Sequence, residues 1–390
     1  MISESEARAK ILELVHPLPP ERVRILDALD RFAAEDVFAR LPLPMFDNSA
    51  MDGYAVIAGE TKNGQRLRVI GEQPAGIDRK LRVGKGEAIR IFTGAPIPSG
   101  ADAVVMQEDV TREGDEIVLS TNAEPGEFIR RRGCDLSEGQ KILRAGERLR
   151  AGSIGVLASQ GVGDVAVGGQ ANVAIVSSGD EVAPAGTKLQ PGQIYDSNSV
   201  MLQMLVKRCG ANIASVQHCR DDAESLGSTL ESAAQNHVVI ITGGVSVGEH
   251  DLVQGVLRSL GAKIDLWRVA IKPGKPFLFG RLGCFLFGLP GNPVSAFVTF
   301  LQFVRPAILQ LMGAGELSLP RVPAELASDL TNDGDRVHYF RGRLESGKFM
   351  PMGRQESHAL FGLSQSNALF RLEPGESKKT GAKIDVDVWD

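Results

Sequence analysis

Residues 237 to 293 constrain the fold more than any other stretch, because they set three Gly/Pro-rich turns among apolar strand-like runs: HVVIITGGVSVGEHDLVQGVLRSLGAKIDLWRVAIKPGKPFLFGRLGCFLFGLPGNP. In the first, HVVIIT is a short β-branched run and GGVSVG a turn. DLVQGVLRSL then repeats apolar residues at helical spacing, with Asp251 placed as N-cap. A strand, loop and helix start of this kind leaves unpaired N–H groups and a positive dipole end facing the loop, which favours an anion. The second turn, IKPGKP, sets Lys272 and Lys275 on either side of Pro273 and Gly274, so that both ammonium groups can serve one anion. In the third, GLPGNPVSAFVTF, Asn292 fits an N-cap, Pro293 the first helical position, and Ser295 the first turn, where its hydroxyl can also reach a ligand. Taken singly, each turn reads equally well as ordinary punctuation with solvated lysines. Together they predict one anion site.

The surroundings fit. From Asn172 the chain alternates strand-like and helix-like runs (NVAIVSS, VMLQMLVKRCG, NIASVQH, AESLGSTLESAAQN, HVVIIT, DLVQGVLRSLG, then a strand ending near Ile271), which predicts a mostly parallel sheet covered on both faces. Ligands on such sheets lie at the carboxyl ends of the strands. The turns expected there carry Asp180, Glu181, Asp221, Asp222, Glu249 and Asp251. Carboxylates beside a cationic anion site suit Mg²⁺ bridging phosphate oxygens. Asp221 and Asp222 are explained equally well as a helix-start cap.

The order GGVSVGEHD, AIKPGKPFLFG, GLPGNPVSA resembles the molybdopterin molybdenumtransferase family, which includes the gephyrin E-domain. FDNSAMDGYAV at 46–56, RIFTGAPIPSGADAVVMQE at 90–108, RRRGCD at 130–135, SSGDE at 177–181 and GQIYDSN at 192–198 extend the resemblance over nearly the whole chain. It implies a multidomain α/β fold. An elongated helical dimerisation domain would comprise residues 1–41 and 143–170, an inserted small β domain 42–142, a mostly parallel molybdopterin-binding α/β domain 171–317, and a C-terminal β domain 318–390. The implied reaction inserts molybdate into adenylylated molybdopterin with Mg²⁺-dependent release of AMP, giving molybdenum cofactor. By resemblance, the catalytic positions are Asp52, Thr93, Asp135, Glu181, Asp221, Asp251, Lys272 and Lys275, with Glu181 and Asp251 holding Mg²⁺. Gly243, Gly244, Ser246, Arg268, Pro290, Asn292, Pro293, Ser295, Arg341 and Ser357 are the implied substrate contacts. A homodimer is also implied, as are contacts with the adenylyltransferase and with recipient molybdoenzymes. Two positions depart from the family pattern. Arg268 follows Trp267 where lysine is common, and Glu356 in RQESH stands where glycine is usual.

Elsewhere the pattern is plainer. Helical spacing predicts helices at 4–15, 23–34 and 150–160, with short β-like runs over 65–142 and again beyond 323. Arg130, Arg131 and Arg132 beside Asp135 read as a solvated face or as a phosphate or subunit contact. His358 beside Ser357 reads as structural, since neighbours on a strand face opposite sides.

Composition narrows the classes. With 43 Lys plus Arg against 48 Asp plus Glu, the net charge of −5 argues against a general nucleic-acid or acidic-membrane surface. Residues 1–17 carry charges throughout, without an apolar core of signal-peptide type, so a cytoplasmic protein is expected. Cys134, Cys209, Cys219 and Cys284 lie far apart and fit a reducing compartment, and no zinc-ligand spacing or P-loop occurs. GVSVG at 244–248 satisfies G-x-S-x-G with Ser246 as nucleophile, but VGEH intervenes before the helix start and no HGGG-type segment precedes it. A non-catalytic molybdopterin-binding or scaffolding protein and a molybdopterin adenylyltransferase remain the alternatives; the latter resembles only the sheet domain.

Overall fold

The computed structural model describes residues 1–244 and 252–389. The chain divides into two compact units: Met1–Glu35 with Arg144–Gly155 and Val162–Asp390, and Asp36–Leu143 with Val156–Gly161.

The first unit is built on a sheet whose strands lie in the order Asn212–Cys219, Asn172–Ser178, Val238–Thr242, Phe285–Leu289, Leu278–Arg281 and Lys263–Trp267. The first four run parallel; Leu278–Arg281 runs antiparallel to both of its neighbours, Phe285–Leu289 and Lys263–Trp267. Buried runs such as VVIIT arise because successive side chains enter opposite layers. Val173, Ile175, Val238 and Ile240 pack with helices Glu4–Leu14, Ser197–Arg208 and Pro293–Thr299, whereas Ala174, Val176, Val239 and Ile241 pack with Ala223–Ala233 and Leu252–Ser259. Each fully buried Val, Leu, Ile or Phe stabilises by about 1.5–3 kcal/mol. Pro293–Leu311 is apolar enough to cross a membrane by length and composition, yet 89% of it is buried inside this core. Its middle turn, Phe300–Val304, is a π-helix just before Pro306, whose missing N–H breaks the regular ladder.

The expected strand ending near Ile271 is two strands. Arg268 takes a left-handed φ of 65°, and beyond it Val269–Lys272 leaves the α/β sheet to pair with Ile2–Ser3 and with Val337–Glu345. A left-handed residue breaks the alternation that a single strand needs. Val337–Glu345, Lys348–Pro351, Arg321–Leu326, Lys383–Val388 and Ala368–Leu372 pair in succession, and the last pairs again with the first, so the C-terminal strands close into a ring. Closure leaves this small module with few exposed edges.

The helix expected at 23–34 is not formed. Glu21–Arg24 is a strand paired antiparallel with Asp164–Val167, followed by the 3₁₀ turn Ile25–Asp27. Ladder hydrogen bonds to a distant partner outweigh weak local helical spacing. The supposed helical segments 1–41 and 143–170 therefore hold only two α-helices among the described residues, Glu4–Leu14 and Ala151–Ser159. The first starts at a capping box, Ser3 with Glu6, and buries Ala7 and Ile11 in the α/β core.

The second unit carries a sheet ordered Ala103–Met106, Gly53–Val56, Glu87–Ile91, Arg66–Gln73, Glu116–Leu119 and Val110–Glu113. Its core is Tyr54, Val56, Leu67, Ala88, Val105 and Ile117.

Candidate active site

Asn172–Ser178 has Asn212–Cys219 on one side and Val238–Thr242 on the other, so its crossovers run to opposite sides and open a crevice at the carboxyl ends. A pocket of about 110 Å³ lies there, lined by Ser178, Glu181, Asn198, Thr242, Gly243, Gly291 and Pro293 among others. A wider apolar hollow of about 700 Å³ adjoins it through Tyr195, Asp196 and Ser197. Its one carboxylate, Asp196, caps helix Ser197–Arg208 by accepting from the Ser199 amide. Charge chemistry therefore belongs to the smaller crevice.

Gly243 and Gly244 both have positive φ, and a Cβ on Gly243 would stand 2.2 Å from the Ser178 carbonyl oxygen. Only glycine permits that approach. The Ser178 hydroxyl donates to Asp221 Oδ1, while Asp222 caps the next helix by accepting from Ser225 N at 2.8 Å. The two neighbouring acids thus divide: Asp222 is the cap, and Asp221 is held at the strand ends. Glu181 is exposed on the crevice rim with its carboxylate folded towards Gly179.

Asn198 joins the two turns. Its Nδ2 donates to Thr242 Oγ1 at 3.0 Å and to the Gly291 carbonyl at 2.7 Å, and a carbonyl partner fixes which end of the amide is nitrogen. Asn292 occupies the N-cap position but makes no side-chain cap; its Nδ2 donates to Ser357 Oγ at 3.0 Å. The cap is replaced by Ser357 itself, whose carbonyl accepts from the Val294 amide. Asn292 and Ser357 are thereby brought together and Pro293 lines the crevice, whereas Pro290 is buried. Ser295 is a correction to the sequence reading: at 4% exposure it sits inside the packed face of the helix, out of a ligand's reach.

In the lysine turn, Gly274 packs on the helix after Pro293, since a Cβ there would lie 2.5 Å from Thr299 Cγ2. That contact leaves Lys272 and Lys275 exposed at the turn's two ends. Lys272 pairs in register with His338 of the C-terminal ring. Burial, with the charges of Lys272, Arg336 and Arg341, pushes the His338 imidazole down to about 3, so it stays neutral beside three cations. Arg341 also corrects expectation. It is 1% exposed, donates through Nη2 to the Arg354 carbonyl, and through its amide to Gln355 Oε1 at 3.1 Å. Its guanidinium holds the loop that carries Ser357. Glu356 is exposed and takes no left-handed backbone, consistent with a glycine-free turn. Ser246 and Asp251 lie outside the described residues.

Family models match in chain order: the MoeA N-terminal region (domain I and II) over residues 2–161, a probable molybdopterin binding domain over 174–310, and the MoeA C-terminal region (domain IV) over 323–389. The molybdopterin molybdenumtransferase of Haemophilus influenzae is 38% identical over 383 residues, which cover 96% of this chain and 95% of that one. This chain belongs to the molybdopterin molybdenumtransferase family. A Nostoc member is 39% identical over 373 residues, covering 92% of this chain and 86% of its own. The crystal structure of the molybdopterin biosynthesis moeA protein from Pyrococcus horikoshii OT3 has a TM-score of 0.82 at 30% identity, with both chains fully covered.

This family member carries its remaining candidate residues in the second unit. Thr93 donates from both its amide and its hydroxyl to Asp52 Oδ1, each at 2.7 Å. Those bonds, the amide's first, hold the Asp52 carboxyl below its usual range, aided by the Arg90 charge. Asp135 is exposed, and its amide donates to the Leu43 carbonyl. The arginine run turns elsewhere: the Arg132 amide and Arg131 Nη1 both bind Asp47 at 2.7 Å. Sequence reasoning gave no site role to Asn198, Ser178, His338 or Asp47, although the segments GQIYDSN, SSGDE and FDNSAMDGYAV carry three of them.

Proposed function

We propose that this transferase of molybdenum cofactor biosynthesis inserts molybdenum from molybdate into adenylylated molybdopterin, with Mg²⁺-dependent release of AMP. The observation that carries the reading is the switch-point crevice, framed by the Gly243–Gly244 turn and the Pro293 helix start, in a chain aligned end to end with proteins named molybdopterin molybdenumtransferase. Lys272 and Lys275 offset the charge of the tetrahedral oxyanion and of the phosphate. Ser357 with Asn292 offers hydrogen bonds at the helix start, and Arg341 holds the Ser357 loop in place. The dithiolene sulfurs of the substrate take the metal, so the protein needs no covalent nucleophile.

Glu181 and Asp251 would hold Mg²⁺. An exposed carboxylate on the crevice rim suits a hard cation that takes one or two carboxylates and completes its shell with phosphate oxygens. Among the described residues no group of three or more His, Cys, Asp or Glu forms a closed cage. When bound, the ion supplies charge neutralisation at the phosphates. Asp52, Thr93 and Asp135 serve as substrate residues in this reading, with Asp52 held by the Thr93 amide and hydroxyl. The protein acts in the cytoplasm as a homodimer, receiving substrate from the adenylyltransferase and passing cofactor to recipient molybdoenzymes.

The test is AMP release by purified protein given adenylylated molybdopterin, Mg²⁺ and molybdate. Molybdate-dependent release by the wild type, lost in Lys272→Ala and Glu181→Ala, is the expected result. Tight substrate binding with no release by the wild type would replace this reading with a non-catalytic molybdopterin-binding or scaffolding protein.

A further inference from the structure

Arg90 is placed where it can govern Asp52 through the backbone on either side of it. It lies on Glu87–Ile91, in register opposite Tyr54 on Gly53–Val56. Its guanidinium carbon stands 5.1 Å from the ring centres of both Tyr54 and Phe92, so the cation is held between two aromatic faces. One end of the fork, Nη1, donates to the Gly53 carbonyl at 3.2 Å; the other, Nη2, donates to Gln107 Oε1. The Gln107 amide in turn donates to the Asp52 carbonyl at 3.1 Å. A closed circuit therefore runs from the Asp52 backbone through Gln107 and Arg90 to Gly53, the next residue. Gly53 is pinned from its other side, because a Cβ there would meet the Val105 carbonyl oxygen at 2.0 Å.

The same side chain fixes the partner. Phe92, one wall of the stack, immediately precedes Thr93, whose amide and hydroxyl both bind the Asp52 carboxylate. Arg90 thus holds the two loops that bring Asp52 and Thr93 together. Lysine would keep the charge but has no planar fork to span two acceptors and stack between rings.

We propose that Arg90 is a positioning residue for the transferase reaction, setting the Asp52–Thr93 pair through its two-ended hydrogen bonding and acting only through that pair. This rests on the reading of Asp52 as a substrate residue.

The experiment is a double-mutant cycle on molybdate-dependent AMP release by the full chain, with Arg90→Ala, Arg90→Lys, Asp52→Ala and the Arg90→Ala/Asp52→Ala double variant. Thermal unfolding of each variant reports folding, and Arg68→Ala, a change to an exposed ion pair with Glu87, is the control expected to keep wild-type activity. A misplaced reacting group costs up to roughly a hundredfold. Arg90→Ala is therefore expected to lose about ten- to a hundredfold, Arg90→Lys to fall with it, and the double variant to be no slower than Asp52→Ala alone. Losses that multiply in the double variant, or full rescue by lysine, would overturn the proposal. Should Arg90→Ala fail to fold, Arg90→Lys and Gln107→Ala carry the same cycle. Full activity in Asp52→Ala alone would overturn it by a different route, since the reading of Asp52 would fall first.

Discussion

Asn198 offers the sharpest test of how the crevice is held. Its Nδ2 makes two hydrogen bonds, to Thr242 Oγ1 and to the Gly291 carbonyl, tying the residue before the glycine turn to the turn before Pro293. A net worth of about 1 kcal/mol per bond predicts that Asn198→Ala destabilises by about 2 kcal/mol. Asn198→Asp keeps the shape but sets a carboxylate oxygen against the Gly291 carbonyl, with no proton to donate at neutral pH. Alanine leaves that carbonyl free to meet water, whereas the carboxylate oxygen repels it, so aspartate is expected to be worse than alanine. The assay is built in: the chain has two tryptophans, Trp267 and Trp389, and both belong to the first unit. Urea unfolding followed by tryptophan fluorescence therefore reports the unit in which the change is made. Activity at limiting substrate should fall alongside, because the two turns line one pocket. Both variants lying within about 0.5 kcal/mol of wild type, the usual range for surface changes, would refute the claim that Asn198 ties the crevice together.

His338 predicts a pH dependence. Its folded pKa is pushed down to about 3 from an ordinary value near 6.5, so between those values the unfolded chain binds the extra proton. Stability from this group is full above about pH 6.5 and is lost as pH falls towards 3; replacing it in His338→Gln should flatten the unfolding free energy across that window. Arg341→Ala removes a buried charged donor from the Arg354 carbonyl and is expected to cost about 1.5–3 kcal/mol in the same fluorescence assay, with Arg341→Lys recovering little of it. Removing the exposed carboxylate beside Ser357 in Glu356→Gly should lower the KM for molybdate, since like charge opposes the dianion; an unchanged KM would place the oxyanion elsewhere. Gly243→Ala, which drives a Cβ against the Ser178 carbonyl, should abolish activity and lower the unfolding midpoint together.

Local grammar carried much of this protein. β-branched runs followed by glycine turns and helix caps marked the α/β alternation, and the spacing of IKPGKP and LPGNP marked the lysine turn and the helix start, because those features depend on a few adjacent residues. The helix expected at 23–34 failed for the opposite reason. Its backbone partner, Asp164–Val167, lies some 140 residues away, and no local spacing encodes that pairing. The choice between Asp221 and Asp222 as helix cap was likewise undecidable from adjacency, and Ser178 decided it from a neighbouring strand.

The sequence by itself determined which residues turn, which alternate and where a helix must begin, since Gly, Pro and Asn act through their own backbone preferences. Which sheet a strand joins, and which polar groups face the crevice, was decided only in three dimensions. Val269–Lys272 reads as a continuation of Lys263–Trp267, yet it belongs with the C-terminal ring. Ser295 and Arg341 read as ligands, yet they are buried. Pairing and burial are sums over contacts from distant parts of the chain, and a side chain's reach is fixed only after those contacts have formed.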